Sequence, residues 1–524
     1  MMKTLLDINS MTVEQKLGMV FCARKFDEDS LDFTIELIKK RTLGCIQCSP
    51  FQQDIVDRIL AAADYPILVF CDTELGFPSS VLPKIPPISL AACGEPKYYE
   101  AFARCIADDA RKAGFNGTWG PVIDVLHGDG PCRVHRYFSD DPKKTADAAA
   151  IIANEFKKSG YLSTGKHYLG GHNFPCDKHM TEGTSDIPLE ELIKFDMLPY
   201  TELMEKGLLP CIMTSHEIYD NIDPEYPASL SKKCIDIIRN MGFDGVCFTD
   251  SFAMMAVLQR YGEENIYGMA IAAGNDVVLP NYRTGTREAF EMLKKNFESG
   301  AFSMERLDEA VRRVLTAMEF CEKNKANNNE ATEEDKALLY DIARDCITAV
   351  TDEGVPAALT GNNEDRLFII LTPNEFSLDK DNPEITMDQW YFPDKVAKKI
   401  EETFPGSGIT FLPEFPAAKH NDYVLNMATK YKEVVFVTFC VTAAYVGTDG
   451  LTRRAEAVIN AIASSKKLST IVHFGNPFAL KYIAKVPRKI FGYIIAESQD
   501  YAIDVLAGKL EAKGKLPFDI ETSN

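Results

Sequence analysis

A chain of 524 residues is too long for one hydrophobic core, and predicts two or three domains that each bury substantial apolar area. With 46% hydrophobic and 26% charged residues and few low-complexity tracts, wholesale disorder is excluded. A formal net charge of -20 argues against nucleic acid as a partner, because phosphate binding needs concentrated Lys and Arg.

The N-terminal MMKTLLDINSMTVEQKLGMVF lacks a continuous apolar core, since Asp7, Asn9, Glu14 and Gln15 interrupt it, and no small-residue cleavage site follows. Nor does any uninterrupted apolar run reach the roughly 18 residues of a membrane span. The chain reads as soluble and cytoplasmic, with no membrane partner. Its 14 cysteines are irregularly spaced and many sit inside apolar runs. The one CxxC, Cys45 to Cys48, has no second pair to complete a metal site, so buried reduced thiols are expected.

From residue 19 to 280, short β-rich apolar runs alternate with longer amphipathic segments, the pattern of repeated β-α units. Runs at 19–23, 44–48, 67–71, 117–125, 163–168, 210–215, 245–249 and 276–279 make eight. Eight parallel strands in roughly 250 residues match a closed (β/α)8 barrel. An open doubly wound sheet is the alternative, but no Gly-rich dinucleotide fingerprint follows any run. The segment 304–324 has helical apolar spacing through Leu307, Ala310, Val311, Val314, Leu315 and Met318, and the Asn-rich KNKANNNEATEED after it reads as a linker. Further strand candidates at 367–371, 434–440, 469–473 and 489–495, with a helix over 451–464, predict a second α/β domain. The expected division is a barrel over 1–322, a linker and connecting helix over 323–350, and an open α/β domain over 351–524.

In a parallel barrel, chemistry sits at strand C-termini. Here the third run ends in Asp72 and Glu74, the fourth in Asp124, the fifth in Lys166 and His167, the sixth in His216 and the seventh in Asp250. Singly, each has an ordinary explanation: a helix cap for Asp250, turn residues for Asp72 and Asp124, a lysine reaching water for Lys166. Five consecutive strand ends carrying charge into one mouth are harder to explain without a ligand. Carboxylates, a Lys-His pair and an Arg suit a carbohydrate, whose hydroxyls need many donors and acceptors. Glycosidic cleavage also needs one group to capture an oxocarbenium-like carbon and another to protonate the leaving oxygen.

Several motifs in order then resemble glycoside hydrolase family 3, and within it the bacterial β-N-acetylglucosaminidases. KHYLGG, starting at Lys166, leads to Asp177-Lys178-His179, similar to the family's Lys-His-aromatic segment followed by Asp-Ser-His, with Lys178 in place of Ser and Leu169 in place of Pro. GFDGVCFTDSFAM resembles the nucleophile segment, with Asp250 ending the strand and Met254 four residues on. CDTELG and RYFSDDP resemble sugar-binding motifs carrying Asp72 and Arg136, MTSHEIYDNIDPEYPASLS follows the pattern around His216, and GKLPF resembles the close of the family's second domain.

The resemblance implies a retaining hydrolase of terminal β-linked N-acetylglucosamine, with a catalytic barrel over 1–322 and an α/β sandwich over 351–524. Asp250 is then the nucleophile and His179, oriented by Asp177, the acid/base on a mobile loop. A free imidazole titrates near about 6.5, so the hydrogen bond to Asp177 favours the protonated donor. Substrate contacts fall to Asp72, Arg136, Lys166, His167, His216 and Met254, with the glycines of KHYLGG letting backbone pass close to the sugar. No cofactor or metal is implied. His172 is a loop residue without an assigned role. A histidine acid/base would not repel an anion, which leaves phosphate open as an acceptor beside water.

Within the family the alternative is a β-glucosidase or β-xylosidase whose acid is a second-domain Glu, with Glu456 and Glu497 as candidates. Outside it stand a metal-dependent amidohydrolase using His167, His216 and Asp250, a Schiff-base aldolase built on Lys166, disfavoured by the carboxylates around that lysine, and a silent sugar-binding protein, disfavoured by intact Asp250, Asp177 and His179.

Overall fold

Each of the eight β-rich runs of the N-terminal half holds a strand in the computed structural model, which describes residues 3–128, 133–171, 177–327, 329–372, 391–440, 444–445 and 450–520. These strands are β1 (Cys22–Ala23), β2 (Cys45–Gln47), β3 (Leu68–Cys71), β4 (Gly117–Thr118), β5 (Thr164–Tyr168), β7 (Cys211–Thr214), β10 (Val246–Ser251) and β11 (Val277–Leu279). Three short strands outside the predicted set, β6 (Gly183–Ser185), β8 (Glu217–Tyr219) and β9 (Asp223–Pro227), form their own sheet in the order β6-β8-β9.

The parallel strands form two four-stranded sheets, β1-β2-β3-β4 and β11-β10-β7-β5. Isolated parallel bridges link the two sheets at both ends: Phe21 with Val278, and Gly117 with Leu162 together with Val122 and Lys166. The strands are buried along nearly their whole length, as expected of parallel strands covered by helices. Between them run amphipathic helices with local start signals. Thr12 and Gln15 form a reciprocal capping box ahead of the helix Val13–Met19. Asp141 caps the helix Pro142–Lys158 by accepting from the Lys143 and Lys144 amides, with Pro142 at its first position.

One buried charge belongs to the fold and not to a site. Asp276, at the entry to β11, is fully buried and meets Arg239 and Arg306 at 2.6 Å and Arg313 at 3.3 Å. Its Oδ2 also accepts from the Cys247 amide at 2.9 Å, so the buried carboxylate is fully compensated.

The chain divides into two compact units: Met1–Val81 with Tyr99–His127 and Tyr137–Lys336, and Leu82–Tyr98 with Gly128–Arg136 and Ala337–Asn524. In the second, a six-stranded sheet runs β12-β17-β16-β15-β13-β14, from β12 (Thr348–Thr351), β13 (Arg366–Thr372), β14 (Gly408–Pro413), β15 (Glu433–Phe439), β16 (Leu468–Phe474) and β17 (Arg488–Phe491). It is parallel except for β12 against β17. β12 and β14, both at the sheet's edges, went unpredicted.

The Asn-rich stretch read as a linker is fastened to the first unit over its described part. Asn327 Nδ2 donates to the Lys158 carbonyl, Asn329 Nδ2 to Ser159 and Glu155, and Arg111 donates to the Lys325 and Asn327 carbonyls. Its acidic tail opens the helix Glu333–Asp345. The twelve described cysteines are all free, and no described helix is long and apolar enough to cross a membrane.

Candidate active site

At β5 the pairing with β7 advances from Lys166 opposite Met213 to Tyr168 opposite Thr214, so His167 is an extra residue in the ladder. Such a bulge re-aims side chains and is frequent beside functional sites. Beyond it, Tyr168 is fully buried, stacked edge-on against Tyr200 at 5.5 Å and donating its hydroxyl to the Cys234 carbonyl, which anchors the strand end. Gly170 and Gly171 adopt φ +89° and +72°. A Cβ on Gly170 would lie 2.9 Å from the Asp196 side chain and one on Gly171 2.6 Å from Leu192. These glycines therefore serve a close approach to the helix region behind them, where Asp196 Oδ1 accepts from the Gly171 amide at 2.8 Å. That differs from the sequence expectation, which assigned them to the sugar.

Lys166 is almost wholly buried, 4% exposed, yet carries a charge, and it is met by two carboxylates from the end of β3: Glu74, and Asp72 at 3.2 Å. Asp72 is itself 58% exposed, so the buried ammonium is tied to a carboxylate that faces solvent. His167 is held twice by Asp124 from beyond β4. Its backbone N–H donates to Oδ1 at 2.7 Å and its ring Nδ1 meets Oδ2 at 2.8 Å.

Asp250 lies one residue before the end of β10, where pairing with β11 is irregular between Phe248 and Ser251. The following helix, Met255–Tyr261, starts beyond it with Met254 at its cap position, so Asp250 does not cap a helix. Instead its Oδ1 accepts from the Ser251 amide at 2.6 Å. Burial opposes ionisation of Asp250. The nearby His167 and His216 imidazoles, the Ser251 N–H and the His179 imidazole outweigh it and hold the carboxyl well below the usual carboxylate range.

His216, after β7, is buried and stacks on Phe252 at 5.1 Å. Its Nε2 meets the Ser251 carbonyl at 3.0 Å and so carries the proton, and its Nδ1 accepts from the Ser229 hydroxyl at 2.7 Å. Burial pushes its pKa down, against the pull of Asp250 and the Ser251 carbonyl. Met254, shortly after Ser251 in sequence, is buried, its amide donating to the Ser251 carbonyl at 3.1 Å.

The turn at 177–180 supplies the remaining pair. Asp177 Oδ1 accepts from the His179 backbone N–H at 3.0 Å and faces His179 Nδ1 at 2.6 Å. The turn is attached to the segment that follows Asp250 by the Met255 amide, which donates to the His179 carbonyl at 3.1 Å. His172 and the rest of 172–176 lie outside the described residues.

Arg24, directly after β1, was not anticipated. Its Nη1 donates to the Ser251 hydroxyl at 2.5 Å and to the Pro280 carbonyl at 3.0 Å, and its guanidinium lies 5.4 Å from the Tyr282 ring centroid. Burial lowers its pKa against the pull of Cys22, Asp72 and Asp250, which places the cation in the field of both carboxylates. The signal was available: Arg24 is the first polar residue after an apolar run, the criterion that singled out Asp72.

Arg136 ends the short 3-10 turn Val134–Arg136 and belongs to the second compact unit. There too lie Glu497, ahead of the helix Ser498–Leu506, and Glu456, which is buried with its carboxylate 3.0 Å from Arg453. His167, His216 and Asp250 do not form a three-ligand group, and no such cluster of His, Cys, Asp or Glu occurs among the described residues.

The family model described as "Glycosyl hydrolase family 3 N terminal domain" matches residues 38–317. Over 240 residues the chain is 31% identical to a beta-hexosaminidase of Xanthomonas oryzae pv. oryzae, covering 42% of this chain and 69% of that protein. With a beta-hexosaminidase of Tolumonas auensis it shares 27% over 259 residues, 48% and 77% of the two chains. A family 3 beta-N-acetylglucosaminidase from Paenibacillus sp. superposes with a TM-score of 0.79 at 21% identity, over 98% of this chain and 99% of that one. A beta-glucoside phosphorylase bound to 2FGlc superposes with a TM-score of 0.80 at 20% identity, over 98% and 95%. At such identities the two superpositions speak to fold alone, a mixed α/β architecture.

Proposed function

The chain belongs to glycosyl hydrolase family 3 and is a glycoside hydrolase, and from that premise we propose that it removes terminal β-linked N-acetylhexosamine with retention of configuration. The curated relatives named beta-hexosaminidase support the substrate class. The bridges at both ends of the two parallel sheets support their closure into one (β/α)8 barrel, whose strand C-termini would form the glycone pocket. A sandwich-like second domain would complete the architecture.

In this reading Asp250 attacks the anomeric carbon through the oxygen not held by Ser251. As the carbon–oxygen bond to the leaving group breaks, that oxygen takes the proton from His179 Nε2. The product is a glycosyl ester on Asp250 and a neutral His179. Water then gives a proton to Nε2 as its oxygen attacks the same carbon, which frees Asp250 and restores His179. Lys166, His167 and Asp72 would grip the ring hydroxyls, while His216 steadies the Ser251 carbonyl behind the nucleophile and Met254 lines the same strand end.

The observation that carries the proposal is the Asp177–His179 pair. Its geometry makes Nδ1 the nitrogen that faces Asp177, on a turn tied through the Met255 amide to the segment that follows Asp250. The test compares chromogenic β-N-acetylglucosaminide and β-glucoside for the unaltered enzyme and His179→Ala, with and without phosphate. The expected result is far faster cleavage of the acetamido sugar, loss of most of that activity in His179→Ala, and no sugar-1-phosphate. Fast glucoside cleavage insensitive to His179 would move the acid to another residue, and phosphate-dependent sugar-1-phosphate would change the acceptor.

A further inference from the structure

The residue between Asp177 and His179 is Lys178, where the resembled motif has Ser. With its two neighbours bonded to each other, Lys178 turns to a different partner: its Nζ lies 3.1 Å from Glu217 Oε2. Glu217 is the first residue of β8, wholly buried, paired across the sheet with Gly183 of β6. It directly follows His216, whose Nε2–H holds the Ser251 carbonyl next to Asp250. Lys178 thus grips a carboxylate that is rigidly placed with respect to the nucleophile.

We propose that Lys178 is a positioning residue, whose ion pair with Glu217 latches the Asp177–His179 turn in the pose that delivers the proton. The proposal rests on the reading of His179 as acid/base. The segment has other ties of a different kind, among them the β6–β8 ladder that begins at Gly183. The Met255 amide holds one backbone oxygen, and the Arg260–Glu182 pair at 2.8 Å is substantially exposed on both sides. Lys178 is 22% exposed and Glu217 0%, so swinging the turn outward strands a buried carboxylate away from this cation. That penalty favours the pose in which Lys178 faces Glu217, where a serine could offer no charge.

A latch that acts through the acid has a signature that a purely structural residue lacks. Departure of a good leaving group needs little protonation, whereas a poor one depends on it. Aryl β-N-acetylglucosaminides spanning acidic to weakly acidic phenols are to be compared on the unaltered enzyme, His179→Ala, Lys178→Met, Lys178→Arg and Glu217→Gln. The expected result is that His179→Ala steepens the dependence of kcat/KM on phenol acidity. Lys178→Met should do so too, losing about 10- to 30-fold on the poorest leaving group, a fraction of the general-acid contribution, while nearly unchanged on the best. Lys178→Arg should recover most of the loss. A uniform loss across all leaving groups in Lys178→Met, or no loss, overturns the latch. A flat profile in His179→Ala instead removes the acid/base assignment, and the latch with it. Should Glu217→Gln not fold, the Met and Arg variants at Lys178 carry the test by themselves.

Discussion

One carboxylate oxygen, Asp177 Oδ1, receives both the backbone N–H of His179 at 3.0 Å and its ring Nδ1 at 2.6 Å. The same double hold recurs with different oxygens between Asp124 and His167, across two strands instead of within one turn. In both cases an aspartate holds the residue by a main-chain contact as well as a side-chain one, so the backbone that carries the ring is fixed by the same carboxylate that orients it.

Asp177→Asn keeps an acceptor for the His179 amide but removes the charge that faces the ring. The expected loss is about 100-fold in kcat on substrates with poor leaving groups, in the range attributed to general-acid catalysis, with KM little changed. Steady-state kinetics on phenyl and dinitrophenyl glycosides measure it; an equal loss in KM and kcat on both would count against an acid-orienting role.

Asp250→Asn is expected to lower kcat about a thousandfold, about 4 kcal/mol of barrier. An activated fluorosugar should add its glycosyl mass to the peptide carrying Asp250 in the unaltered enzyme and not in the variant. The carboxyl's pKa is depressed in the folded state, so Asp250 stays ionised as pH falls through the ordinary carboxylate range. An acid-side decline of kcat/KM above about pH 4 therefore belongs to another group. The depressed pKa also supplies stability above the unfolded value near about 3.9, lost as pH falls below it.

Arg24→Met removes the bridge from β1 to Ser251 and Pro280 and should cost about 10- to 100-fold in kcat/KM, the worth of one or two charge-assisted hydrogen bonds. Arg24→Lys keeps the charge but not the planar fork and should fall between the two. Kinetics paired with thermal melts decide the matter: melting that drops with activity unchanged would make Arg24 a purely structural brace.

His473, in the second unit, is buried between Thr438 and the Asn476 carbonyl, and burial lowers its pKa from the ordinary value to about 4. Folding therefore favours its neutral form. The contribution to stability is complete above about pH 6.5, declines as pH falls toward 4, and amounts to about 3 kcal/mol across that window. His473→Gln is expected to be less stable at neutral pH but to show a flatter dependence between pH 6.5 and 4, read from denaturant midpoints; an unchanged slope would assign the acid sensitivity elsewhere.

The parallel strands were readable because both faces are covered, which writes each as an unbroken apolar run such as Leu68–Cys71 or Cys211–Thr214. The small sheet of β6, β8 and β9 carries sequences such as GTS and DPEYP that announce no burial, and β14 alternates as an edge strand with Phe411 exposed. Asp72, Lys166, His167 and Asp250 were visible as polar residues breaking such runs. Arg24 was passed over because a cation after an apolar run resembles an ordinary solvated flank. Two reasons lay beyond pattern: Gly170 answers to Asp196, 26 residues away, and the nitrogens of His216 to Ser229 and Ser251. Spacing carries no record of partners so distant.

Asp177 and His179 are two residues apart, while Arg24, Asp72, Lys166, His167 and Asp250 are dispersed over four strand ends. In the proposed mechanism, leaving-group protonation is thus encoded in a three-residue cassette, and sugar recognition in a distributed framework. On that reading, adaptation to a new aglycone can proceed by rewriting the cassette and its buried counter-charge, whereas a new glycone demands concerted change at sites far apart in the gene.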